Sequence, residues 1–209
     1  MGTNKNKIPL SFDAIHQELE TCTISVLRLF TENLNEKFGF KKENLDSVYS
    51  FYEIWLFLLS SIEIKSHFLL KDHELKKRLL IYLIDEMFRD LGINTAKEKN
   101  VIVWTINVRL EEYGNLLKKS NSAEELNKNT LLLFVQKLSH AFMKKEFLNE
   151  PSIGLFPLQE GIVTGVYANG ALFYIKKFNF FLDNMLKTGK NFSSLNEKEI
   201  VAIKNRMEK

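Results

Sequence analysis

A chain of 209 residues, 45% hydrophobic and 26% charged, has ordinary globular composition and is long enough to bury a core without disulfides or metals. Its 29 basic residues are set against 26 acidic ones mixed along the chain, a formal net charge of +3, which is not the basic stripe of a dedicated nucleic-acid binder. Three prolines and nine glycines are too few for the frequent turns of an all-β fold, so long helices with few breaks are expected.

The lone Cys22 has no internal disulfide partner, and Met1 to Lys7 is polar, without the apolar core of a signal peptide; a cytoplasmic location is expected. The longest uncharged run, 161–175, is 15 residues long and holds three glycines, too short and too interrupted to span a membrane. Residues 1–8 read as a disordered tail. Residues 9–209 read as a single all-α domain of six or seven helices in a bundle-like or orthogonal array.

In chain order, the first helix is predicted from Ser11 to Lys37, with Ser11 as cap, Ile15, Leu19, Cys22, Val26 and Leu29 at helical spacing, and Gly39 as terminator. The second runs from Ser47 to Leu70 behind Asp46 and is apolar almost all round from Val48 to Ile62, the mark of a central helix. The third runs from His73 to Leu91 behind Asp72, with Leu75, Leu79, Leu83 and Met87 inward and Gly92 as its stop. The fourth segment is ambiguous. Trp104, Ile106, Val108 and Leu110 alternate with polar residues like a strand, yet the Thr95/Glu98 capping box and the series Val103, Ile106, Leu110, Tyr113 and Leu117 favour a helix.

The fifth helix opens with the capping box Ser122/Glu125 and runs to Leu148. The sixth is predicted from Pro157 through the stripe Leu158, Gly161, Gly165, Ala168, Leu172 and Ile175 to Leu186. Asn169–Gly170 within it is a turn signal, so a β-hairpin over 162–175 is the alternative. A seventh helix is expected from the capping box Ser194/Glu197 to Met207.

Gly161, Gly165 and Ala168 form a small-residue stripe suited to a close helix crossing, within the protein or with a twin chain. Alternatively the missing side chains leave room for a small apolar ligand walled by Tyr167, Phe173 and Tyr174, with Trp55 nearby. Glu53 is the one charge in the apolar stretch of the second helix; it is either an acid–base group or part of a narrow wet stripe with Asp46, Ser50 and Ser60. Glu63 and His67, four apart, form at most half of a metal site, and no Glu-x-x-His or His-Glu-x-x-His spacing accompanies them. Asp85, Glu86 and Asp90 gather where the helix dipole disfavours acids, so either a cation or Arg89 should balance them. Basic groups such as Lys76, Lys77 and Arg78, Lys118 and Lys119, Lys144 and Lys145, and Lys176 and Lys177 would meet phosphate only if gathered on one face, so nucleic acid is an unlikely partner. No phosphate loop, nucleophile elbow or dinucleotide fingerprint occurs.

These features favour a non-enzymatic interaction module that binds another protein or itself, with no cofactor or metal. The alternatives are a small apolar-ligand sensor with a pocket near Tyr167 and Phe173, and an enzyme using buried carboxylates.

Overall fold

Side-chain caps start the helices at the expected residues. The Asp46 carboxylate accepts from the Tyr49 amide at 3.0 Å, and Asp72 from the Leu75 amide at 3.0 Å. Thr95 and Glu98 close a reciprocal capping box, and the Ser11 and Ser122 hydroxyls accept from Ala14 and Glu125 amides. Each such bond satisfies an amide that the first helical turn leaves without an internal acceptor. The computed structural model describes residues 10–38, 46–120, 122–142, 162–163 and 170–189. Among the described residues there are six helices and no strand: α1 (Phe12–Phe38), α2 (Ser47–Leu69), α3 (His73–Asp90), α4 (Ala96–Lys119), α5 (Ala123–Phe142) and α6 (Ala171–Thr188). The N-terminal tail, Gly39, the end of the predicted fifth helix and the seventh helix lie outside the described residues.

The bundle is organised around α2, which packs against each of the other five helices. From Glu53 to Ser60 every side chain is buried, so an all-round apolar sequence becomes a helix enclosed on all sides. On α1 the stripe Ile15, Leu19, Cys22, Val26, Phe30 and Leu34 is buried against it. Phe57 of α2 stacks on Phe134 of α5 at 4.2 Å, and Phe30 of α1 meets the same Phe134 ring at 6.4 Å, so one aromatic side chain ties three helices together. Because α2 faces the core on every side, Ser50 and Ser60 are buried too. Each donates its hydroxyl to a carbonyl of its own helix, Asp46 O and Phe57 O. In the expected wet stripe on α2, Ser50 and Ser60 are therefore locally satisfied hydroxyls in the core.

Ion pairs fasten the periphery. Lys65 of α2 reaches Asp183 of α6 at 2.6 Å, and Lys177 of α6 reaches Glu18 of α1 at 3.5 Å. His16 of α1 meets Asp90 of α3 at 3.1 Å, beside a hydrogen bond from the Tyr82 hydroxyl to Asp13. No described helix is long and apolar enough to cross a membrane.

Two expectations change. The α4 stripe is rotated slightly from the predicted one: Val103 is exposed, whereas Ile102 packs on the core together with Ile106 and Tyr113. The strand alternative for this segment fails, because the capping box commits the chain to a helix that runs unbroken through the alternating residues. The predicted continuous sixth helix also fails. Gly170 has φ 84° and ψ 2°, a left-handed conformation incompatible with a helix interior, and α6 starts only at Ala171. The hairpin alternative fails as well, since Ile162 and Val163 are helical and residues 171–175, its second strand, are the first turns of α6. The Asn169–Gly170 signal marked a genuine reversal of backbone conformation, but one that opens a helix.

Candidate functional site

Glu53 lies on the buried flank of α2 that faces α4, and the residue opposite it is Arg109. The guanidinium approaches both carboxylate oxygens: Nη2 is 2.6 Å from Oε1, and Nε is 3.2 Å from Oε1 and 3.0 Å from Oε2. This is the fork-on-fork geometry that only arginine supplies. Arg109 Nη1 then donates to Glu112 Oε2 at 3.0 Å, and Lys137 of α5 donates to Glu112 Oε1 at 2.7 Å. Four alternating charges thus connect α2, α4 and α5 in one chain. Burial works against the charge on Arg109, but the hydrogen bonds and attraction of Glu53, and then of Glu112, outweigh it and raise its pKa. Burial likewise opposes ionisation of Glu112, yet Lys137 and Arg109 hold its carboxyl below the usual carboxylate range.

Tyr113 sits one turn further along α4, its ring edge-on to Phe57 at 5.9 Å. Its hydroxyl is buried without a hydrogen-bond partner. Burial first, and the neighbouring Glu53 second, push this phenol well above its ordinary range, so it stays protonated. A buried hydroxyl without a partner costs about 1–3 kcal/mol of desolvation. Tyr113→Phe, which keeps the ring and removes the oxygen, is therefore expected to leave stability unchanged or raise it by up to ~1 kcal/mol. Equilibrium urea unfolding checks this; a loss of more than ~1 kcal/mol would mean that the hydroxyl is held by a group of real consequence.

The other sequence candidates are placed as follows. Gly161, Gly165, Tyr167 and Ala168 lie outside the described residues. Trp55 is sealed in the core of α2, whereas Phe173 is half in solvent on α6 with its ring edge-on to Tyr174. Glu63 pairs with Lys76 of α3 at 2.7 Å. Asp85 is exposed, Glu86 pairs with Arg89 at 2.7 Å, and Asp90 pairs with His16. Among the described residues no group of three or more histidine, cysteine, aspartate or glutamate side chains could hold a metal ion. Cys22 is buried against α6, where desolvation and then Glu18 push its thiol up to about 12, so it is un-ionised and unreactive at neutral pH.

The exposed apolar side chains draw attention to a different place. Val101 and Trp104, one helical turn apart on α4, are 60% and 67% exposed. The Tyr52 hydroxyl donates to Ile102 O, and Glu53 and Phe57 meet Arg109 and Tyr113, so α2 and α4 run side by side in the same direction. Their first turns therefore share one end of the bundle, and there Val48 and Tyr49 of α2 are 68% and 67% exposed. Leu91, in the joint between α3 and α4, is exposed at the same end. The sequence shows Trp104 only as part of a strand-like alternation, and the helical stripe Val103, Ile106, Leu110, Tyr113 and Leu117 leaves it off the inward face without marking it as exposed. Compared with known proteins, the chain matches no family model, no curated protein and no solved structure.

Proposed function

We propose that this protein is a helical interaction module that binds another protein through the end of the bundle where α2 and α4 begin. The observation that supports this reading is Trp104, two-thirds exposed beside Val101, with Val48 and Tyr49 at the same end. Scattered surface apolar residues need no explanation, but an indole with most of its surface in water, grouped with other large apolar side chains, is the composition of a binding hot spot. Glu53, the foremost candidate for acid–base chemistry, is engaged by Nε and Nη2 of Arg109 and so is accounted for as a structural group.

A photo-crosslinking amino acid placed at position 104 tests the reading in cells expressing the full chain, with the exposed Lys128 of α5 as the control position. A discrete adduct formed from position 104 and not from 128 is the expected result, and its mass identifies the partner, including a second copy of this chain. No adduct from 104, or the same adducts from both positions, would sink the proposal.

A further inference from the structure

We infer that α4 is a detachable strap, held on the bundle by few fully buried side chains and a charge clasp, and able to open as a unit while the remaining helices stay folded. Burial along the helices is unequal in a way that sets α4 apart. Eleven of the 23 residues of α2 are buried, five of the 18 in α3 and seven of the 18 in α6. Of the 24 residues of α4, Ile106 and Tyr113 are the two that are buried. Among the described helices its principal neighbours are α2 and α5, whereas α1, α2 and α6 pack on one another. On that side Arg109 pairs with Glu53 and Glu112 with Lys137, while Ile106 and Tyr113 are buried and Ile102, Leu110 and Leu116 pack on the core.

A partly buried ion pair loses in desolvation much of what it gains in attraction, so such a clasp sets register without adding much free energy. Local opening in proteins is drawn from elements with few buried apolar contacts. The ends of α4 permit the motion: Gly92, at φ 65°, lies in the joint before it, and Ser120 after it is in an extended conformation. Opening bares Tyr52, Glu53 and Phe57 of α2, which α4 contacts through Ile102, Arg109 and Tyr113. The strap thus controls access to an apolar surface bearing one carboxylate. This property belongs to the free chain and stands whether or not Trp104 meets a partner.

Native-state hydrogen exchange on the full-length protein tests it. Amides in the middle of α4, from Val101 to Leu117, should exchange at least about tenfold faster than those from Ile54 to Ile62 of α2, with a denaturant slope above zero but smaller than that of α2. Ile106→Ala should speed the α4 amides a further roughly tenfold and leave α1 and α6 unchanged. Exchange of α4 and α2 at one rate with one denaturant slope, or an equal acceleration of all helices by Ile106→Ala, would show that α4 opens only with the whole fold and would overturn the inference.

Discussion

Replacing Phe134 with alanine is expected to destabilise the fold by about 3–5 kcal/mol, the largest single effect foreseen for any side chain considered. The ring is fully buried, stacked on Phe57 at 4.2 Å and within 6.4 Å of Phe30, so it fills the junction of α1, α2 and α5. Removing it leaves a cavity lined by two other aromatic rings and by rigid helix backbones. Such a site collapses poorly, and the cost therefore falls toward the upper part of the range for aromatic truncations. Phe134→Leu, which refills most of the volume, should cost less than half as much. Reversible urea denaturation followed by far-ultraviolet circular dichroism measures both; a loss below ~1 kcal/mol for the alanine variant would mean that three helices do not meet at this ring.

The second large effect concerns the clasp. Arg109→Met leaves the Glu53 carboxylate buried on the flank of α2 with no cation, and is expected to cost about 2–4 kcal/mol. Glu53→Leu leaves Arg109 with Glu112 alone and should cost less, because that end of the network is wetter. The double variant is the decisive one. With both charges replaced by apolar groups of similar volume, most of the loss should be recovered, so the coupling measured by the double-mutant cycle should be about 1–3 kcal/mol. Strict additivity of the two single losses would show that the bidentate geometry carries no interaction energy. In either single variant the exposed face around Trp104 is untouched, so crosslinking from position 104 separates a loss of fold from a loss of binding.

Much of the helical scaffold was legible from residues alone, because the forces that start and stop helices act over one turn. Asp46, Asp72, the Thr95/Glu98 box and Ser122 announced four helix starts within a residue of where they occur. The all-round apolar stretch of α2 foretold its central place, since no smaller enclosure hides side chains on every face of a helix. Gly170 was read correctly as a site of unusual backbone and wrongly as the middle of a continuous helix or the tip of a hairpin. An Asn–Gly pair reports that φ turns positive, and only the packing of the following stripe, with Ala171, Ile175, Phe178 and Leu182 buried, shows that a helix begins there.

The site was half visible. Glu53 stood out as the one charge in an apolar stretch, while Arg109 was passed over as one polar residue in an alternating run. A signal was present: Ile102, Ile106, Arg109 and Tyr113 follow the spacing of one helical face, so Arg109 is a lone charge on an inward stripe, as Glu53 is on its own. Two lone opposite charges on two inward stripes invite pairing. That they do pair is a matter of tertiary structure, because the partners are 56 residues apart and meet only once α2 and α4 lie side by side in register. The exposure of Trp104 has the same origin. Periodicity assigns a residue to a face of its helix, and the neighbours that assemble around that helix settle whether the face is covered.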